Sequence, residues 1–462
     1  MPSRTLGGLE KYCFYRNYYN YYTCVISVAS YSSDVDPSDL CEALKGLLVE
    51  ETGFALTIKL DRKENPEFIL LNRILYTDLV EYRDEDSFDL DGETTKLLDT
   101  KFSLIEGTQP LWKVIVFNRR HIVFVADHTV CDGTGIINFQ RLLLKHINTA
   151  RNIQNKIVPS PSSIVFTGGD DVNFMDHTES YFDSKPSISF VIRKFAERLL
   201  PGRLWNIGGR RRLGKYKLLG TNLPIPQEIR PSLHTKSRSI SIDRGTLSKL
   251  LCLTKKHRVK LTSLLTYLLA KSFVNVLPQE MKRYDLPIHI PVNCRQFIDF
   301  SAIQIEQPWF TALAGTYAGD IQTTLPAVMS TKDDSIDWEY VQAVQSRISE
   351  VILDETPQYS VGMFNMINMR NYVKAFSGNF NGIALGISNV GYFDFNATYE
   401  NMYYKVEDIW FTQCSGVSGA LITANVVGFS GGLRITLSYD QVIPYADKVD
   451  EIIEQMRKYL VS

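Results

Sequence analysis

A chain of 462 residues is longer than one hydrophobic core ordinarily serves, so two domains are the first expectation. Hydrophobic residues at 44% and charged residues at 22% describe a globular protein with a sizeable core and exclude a disordered or fibrous chain. Lys and Arg total 50 against 51 Asp and Glu, a net charge of -1, which removes the basic excess a nucleic-acid binder would carry.

The 7 cysteines, Cys13, Cys24, Cys41, Cys131, Cys252, Cys294 and Cys414, are dispersed without a CxxC pair or a metal-ligand spacing. That odd, scattered set fits reduced thiols, and no metal is expected. Met1 to Arg4 leads into no apolar signal core, and no run of about 18 uncharged apolar residues occurs. The expectation is a cytoplasmic protein with no membrane span.

Taken in chain order, Tyr12, Phe14, Tyr15, Tyr18, Tyr19, Tyr21 and Tyr22 crowd the opening. Tyrosine joins an apolar ring to a wet hydroxyl, so the cluster suits a channel wall, a membrane interface, or a helix packed on the domain surface. A strand is expected from about Cys24 to Ser30. Asp36 then reads as an N-cap and Pro37 as the first helical residue, with Leu40, Ala43, Leu44, Leu47 and Leu48 at helical spacing. A strand near Ala55 to Leu60 follows, which completes a strand-helix-strand start typical of a layered α/β domain. The acidic run from Arg83 to Glu93 reads as a solvated loop. Leu111 to Phe117 and His121 to Asp127, joined by Asn118-Arg119-Arg120, form a hairpin.

From 152 to 179 the composition turns to Pro, Ser, Gly and Asp, as in a surface crossover that continues to about Pro231. The chain accordingly divides into a first half, 1–180, a crossover, 181–231, and a second half, 232–462. Within the crossover, Ile188, Val191, Ile192, Phe195, Leu199 and Leu200 lie at helical spacing beside Arg193, Lys194 and Arg198, with Trp205 and Arg210-Arg211-Arg212 beyond. Such a basic amphipathic segment either lies on an anionic membrane surface or folds onto the protein. The former would make the protein peripheral on the cytosolic face of the endoplasmic reticulum or on lipid droplets.

The second half repeats the theme without a sequence repeat. Ser239 to Asp243 is strand-like, and a helix follows it. Thr262 is expected to cap a long apolar helix with Leu264, Leu265, Leu268 and Leu269, closed by Pro278. Leu286 to Val292 is a buried strand leading to Arg295. An irregular stretch to about Asp337 precedes an amphipathic helix ending near Leu353. Leu421 to Phe429 and Leu433 to Tyr439 are strands, and Ala446 to Leu460 is a final helix.

Chemistry concentrates at His128-Thr129-Val130-Cys131-Asp132-Gly133, which follows the apolar run Ile122 to Ala126 and precedes a helical pattern from Thr134. Strand and helix hold the imidazole still while the turn exposes it. A histidine titrates near neutrality, so the neutral ring can take a proton from a hydroxyl, amine or thiol and return it to a leaving group without a metal. Asp132 either serves the imidazole or braces the turn by meeting a cation from elsewhere. The bland alternative is a hydrogen-bonded core histidine.

The hexamer, with Pro110 to Phe117 upstream, resembles the superfamily of coenzyme A dependent acyltransferases that includes chloramphenicol acetyltransferase, plant BAHD enzymes and peptide-synthetase condensation domains. Within it the chain looks most like the fungal alcohol acetyltransferase family, whose relatives include sphingoid-base N-acetyltransferases. Leu9-Glu10-Lys11-Tyr12, Ile290 to Arg295, Ile387 to Gly391 and Leu437 to Asp440 carry the likeness in order along the chain.

The resemblance implies an α/β fold of two chloramphenicol-acetyltransferase-like domains, each a mixed sheet with flanking helices, enclosing a solvent channel. Acyl-CoA would enter from one side and the acceptor from the other, with His128 midway as general base. Asp132 would turn away and pair with Arg295, and Gly133 would support the turn. Ser388 and Asn389 would line the channel and touch substrate, or simply mark a strand end. Two departures narrow the reading. Asp127 stands where condensation domains carry another histidine, which disfavours carrier-bound peptide chemistry. Val390-Gly391-Tyr392-Phe393-Asp394 stands where plant enzymes carry DFGWG, which disfavours their acceptors.

The function so implied is transfer of acetyl from acetyl-CoA, a co-substrate, to the hydroxyl of a lipophilic alcohol or the amine of a sphingoid-type amino alcohol. Both substrates would meet in a ternary complex on a monomer, without metal or nucleic acid. The alternative from another class is a non-catalytic lipid-binding protein of the same fold.

Overall fold

The computed structural model describes residues 3–169, 175–199, 212–213, 215–219, 221–225, 230–299, 318–326, 335–380, 382–397, 402–417 and 419–461. Two mixed sheets organise them. The first has five strands in the order Val406–Gln413, Val25–Tyr31, His121–Ala126, Trp112–Phe117 and Val80–Arg83. Only its last pair runs parallel. The second has six, in the order Thr235–Asp243, Gly432–Asp440, Ile422–Phe429, Leu385–Phe393, Asp285–Asn293 and Ala318–Pro326. Its parallel pairs flank Leu385–Phe393.

Each sheet buries its apolar residues in a core of its own. Phe54, Trp112, Phe124 and Phe139 stack within the first core, with the Phe124 and Phe139 centroids 3.6 Å apart. The second centres on the helix Leu261–Val276 and the strands around Leu385, Ile422 and Ile435. The expected α/β architecture of two helix-flanked mixed sheets is what the chain adopts.

Chemically strong local signals have their expected outcome in the fold. The Asp36 carboxylate accepts from the Ser38 amide at 2.8 Å, with Pro37 opening the helix Pro37–Glu50. The hairpin turns at Asn118 and Arg119, both at positive φ.

Four expectations need correction. The acidic stretch is not all loop: Leu90–Leu97 is a helix whose Glu93 is buried, bonded by Lys96 at 2.5 Å and with Arg83 3.9 Å away. A carboxylate with such partners tolerates burial that an isolated one would not. Residues 298–336 are not all irregular, since Ala318–Pro326 pairs antiparallel with Asp285–Asn293. Thr262 is not the cap of its helix: Lys260 occupies that place, with its amide donating to Gln345 Oε1 at 2.9 Å. Finally, Leu56–Leu60 is a strand, but it joins Ser3–Thr5 and Pro66–Leu70 in a separate small sheet.

One strand crosses the sequence halves. Val406–Gln413 lies within 232–462 yet runs antiparallel to Val25–Tyr31, as the edge of the first sheet. In the crossover, Ile188–Leu199 is a helix. Leu200, Trp205, Arg210 and Arg211 lie outside the described residues.

Candidate active site

The hairpin strand His121–Ala126 delivers the turn that carries His128. Asp127 secures that turn: its Oδ1 accepts from the Thr129 amide at 2.8 Å and its Oδ2 from Asn17 Nδ2 at 2.5 Å. Burial pushes the Asp127 carboxyl above the usual carboxylate range, against the pull of those hydrogen bonds. Asp132 then caps the helix Gly133–Arg151 by accepting from the Gly135 amide at 2.7 Å. An anionic cap is favoured there by the unpaired N–H groups of the first turn.

The same carboxylate meets the cation that the turn needs. Arg295 Nη1 donates to Asp132 Oδ2 at 2.7 Å, and Nη2 donates to Oδ1 at 3.1 Å, a two-pronged pair. Both residues are buried, Asp132 at 3% and Arg295 at 4% exposure, so water screens little of the interaction. Burial alone would raise the Asp132 carboxyl, but the Arg295 charge and these hydrogen bonds outweigh it and hold the group below the usual carboxylate range. Asn293 aims the arginine by accepting its backbone N–H at 3.0 Å, and reaches Thr134 Oγ1 at 3.4 Å. Arg295 comes from the second half, so this pair ties the two halves together beside the imidazole.

Gly133 is closely packed. A Cβ there would lie 2.9 Å from Phe411 Cζ and 2.9 Å from Val390 Cγ1, both from the second half. Removing the side chain lets the helix start pass against the strands Val406–Gln413 and Leu385–Phe393.

His128 is half-buried and faces a cavity of about 780 Å³ walled by both halves, with Tyr22, Asp132, Ser388, Asn389 and Phe411 among its lining. Ser388 lines the cavity from the strand Leu385–Phe393. Asn389 is more committed: its Nδ2 donates to Thr262 Oγ1 at 3.0 Å, and its Oδ1 accepts from the Gly391 amide at 3.0 Å. Gly391 sits at φ +96° where the strand register slips, a conformation glycine adopts without penalty.

The structure thus brings His128, Asp132, Gly133, Ser388 and Asn389 to one cavity, while Arg295 stays off its wall and holds Asp132. The opening helix Gly8–Tyr18 also reaches it through Leu9, Tyr12, Cys13 and Arg16, so the aromatic start is a buried helix and a cavity wall together. Two neighbours of the imidazole carried no spacing signal. Cys13 Sγ lies 3.7 Å from His128 Nδ1, and the Tyr22 ring stands edge-on to the imidazole at 5.7 Å between centroids.

The model of the family described as alcohol acetyltransferase matches residues 5–459 of this chain. The chain belongs to that family. This member of the alcohol acetyltransferase family is 22% identical to the N-acetyltransferase SLI1 of Saccharomyces cerevisiae, over 95% of each chain. It is 23% identical to an uncharacterized protein of Schizosaccharomyces pombe, over 99% of this chain and 98% of that one. Among solved structures it resembles the trichothecene 15-O-acetyltransferase of Fusarium sporotrichioides, with a TM-score of 0.69 at 10% identity, covering 99% and 95% of the two chains. It also resembles the epimerization domain of tyrocidine synthetase, with a TM-score of 0.62 at 12% identity, covering 100% and 95%. At those identities the structural likeness establishes the fold. Family membership makes the protein an acyltransferase and implies an acyl-CoA co-substrate.

Proposed function

We propose that the protein transfers an acetyl group from acetyl-CoA to the hydroxyl of a lipophilic alcohol or the amine of a sphingoid-type amino alcohol, with His128 as general base. The observation that carries this reading is a half-buried imidazole on the wall of a large cavity shared by both halves, while the neighbouring Asp132 is engaged by Arg295 and Gly135. His128 takes the acceptor proton as its oxygen or nitrogen attacks the thioester carbonyl. The tetrahedral intermediate then expels the CoA sulfur, which receives that proton, leaving an ester or amide and free CoA. Both substrates meet in one ternary complex on a monomer, and their fixed approach supplies much of the rate. Ser388 is the better placed of these two residues, both inside the strand Leu385–Phe393, to touch substrate, because the Asn389 amide is engaged by Thr262 and Gly391.

The purified protein should release CoA from acetyl-CoA only when an acceptor is present, in a panel of an aliphatic alcohol, a sphingoid base and an arylamine. If no acceptor in that panel stimulates thiol release, the transferase reading fails and a lipid-binding role takes its place.

The helix Ile188–Leu199 supports peripheral membrane association on the cytosolic face of the endoplasmic reticulum or on lipid droplets. Ile188 and Ile192 are 80% and 64% exposed, and Arg193, Lys194 and the half-exposed Phe195 line the cavity. Apolar side chains turned outward beside cations suit an anionic lipid surface, from which a lipophilic acceptor could pass into the cavity. No helix among the described residues is long and apolar enough to cross a membrane. Co-sedimentation with phosphatidylserine vesicles is expected for the parent and is expected to drop for the double variant Ile188→Glu, Ile192→Glu. A parent that stays in the supernatant, or a double variant that pellets equally, removes this association.

A further inference from the structure

The proton cycle proposed for His128 leaves unused the thiol lying against its ring. Cys13 is 2% exposed and sits on the helix Gly8–Tyr18, whose start is held by the Glu179 carboxylate accepting the Leu9 amide at 2.8 Å. Its Sγ is 3.7 Å from His128 Nδ1, within reach of a sulfur hydrogen bond. From the same helix, Arg16 Nη2 donates to that sulfur at 3.9 Å. The Arg16 guanidinium lies 3.7 Å from the centroid of the Tyr22 ring, and Tyr22 in turn stands edge-on to the imidazole. Arginine, sulfur, imidazole and phenol thus form one packed group at the cavity wall.

A histidine that works as a base through one nitrogen needs an acceptor at the other. That acceptor keeps the idle nitrogen protonated, which leaves the lone pair on the working one, and it stabilises the ring when a second proton arrives. A carboxylate commonly serves, as in hydrolase triads. Here both oxygens of Asp132 receive bonds from Arg295 and Gly135, and those of Asp127 receive bonds from Thr129 and Asn17. Sulfur is a weak acceptor alone, but a buried guanidinium can only donate, so Arg16 orients the sulfur and favours negative charge on it.

We infer that Cys13 is a positioning residue for His128: Nδ1–H donates to Sγ, Arg16 fixes the sulfur, and Nε2 keeps its lone pair for the acceptor proton. No bond forms to the sulfur during turnover, and the thiol proton stays with Cys13. This inference rests on the general-base reading of His128.

The test compares Cys13→Ala, Cys13→Ser and His128→Ala in the full chain, with thermal unfolding as the check on folding. Cys13→Ala should lower kcat by about tenfold with the KM for acetyl-CoA changed less than about twofold, because tautomer control acts on the proton transfer. Losing the acceptor destabilises the imidazolium, so the acidic limb of the kcat/KM profile should move to lower pH. Cys13→Ser should recover part of kcat and of the limb shift, since its hydroxyl keeps an acceptor on that side of the ring but sits on a shorter bond than the sulfur. A folded Cys13→Ala enzyme with the parental kcat and acidic limb overturns the inference. So does a Cys13→Ser enzyme as impaired as Cys13→Ala with the loss carried in KM, which would make Cys13 a wall of the cavity. If Cys13→Ala does not fold, Cys13→Val, which fills the space but accepts no hydrogen bond, takes its place with the same expected loss of kcat and shift of the limb. An active His128→Ala enzyme defeats the general-base reading itself, so the two failures are distinguishable.

Discussion

Replacing His128 by Ala should cut acceptor-dependent CoA release by about 10²- to 10⁴-fold, the range supplied by a well-placed general base. The fold should survive. His128 is half-buried at a cavity wall, and its loss leaves the hairpin, the Asp127 turn bonds and the Asp132 cap in place. Thermal unfolding within about 2 °C of the parent is therefore expected. The expected effect falls on kcat, because the ring acts on the proton in transfer. Measurement of CoA release by the variant, alongside its unfolding curve, decides the matter. A well-folded variant that retains most of the parental rate would end the case for acid/base catalysis by this residue.

Replacing Asp132 by Asn should produce the opposite balance: a large loss of stability, with activity lost alongside it. The substitution strands the buried Arg295 charge, and breaking such a pair from one side costs about 3–5 kcal/mol, a sizeable share of a typical folding free energy. The double variant Asp132→Asn, Arg295→Gln should be less destabilised than the two single losses added together, since neither charge is then left alone. The pH dependence follows from the lowered carboxyl. Asp132 holds its proton more weakly when folded than unfolded, so its contribution is complete above the ordinary carboxylate pKa. It is lost as pH falls through the lowered folded value. Denaturant melts of parent and variant across the acidic range should therefore converge as the pH drops. A variant whose stability matches the parent at neutral pH would show that the pair carries no net weight.

Much of this site was legible from residues alone, for reasons that differ by feature. Asp36 followed by Pro37 is local chemistry, as is the apolar hairpin leading into His128, and both formed as expected. The partnership of Asp132 with Arg295, 163 residues apart, was not readable from spacing and came from family likeness. Cys13 beside His128 had no such guide, because nothing in a helix of aromatic residues says which distant ring its thiol will touch. The strand Ala318–Pro326 escaped notice because it is an edge strand with Gly, Asp, Gln and Thr in its run, not a continuous apolar stretch. Glu93 misled because charge reads as exposure until its partners, Lys96 and Arg83, are placed beside it.

The strand Val406–Gln413 has a mechanical consequence for how substrates are admitted. Its ladder to Val25–Tyr31 stitches the second half to the first through main-chain hydrogen bonds, and Cys414 continues the seam by donating its amide to the Cys24 carbonyl at 3.0 Å. Swinging the two sheets apart would carry this strand with the first sheet and leave its ladder whole, but would part the bonds it shares with the second: Thr436 Oγ1 donating to the Phe411 carbonyl at 2.5 Å, Gln413 Nε2 to Asn425 Oδ1 at 2.7 Å and Arg434 Nε to Asp408 Oδ1 at 2.7 Å. Those side-chain clasps tether the walls on either side of the His128 cavity. On the transferase reading proposed above, an acceptor must then thread between tethered walls.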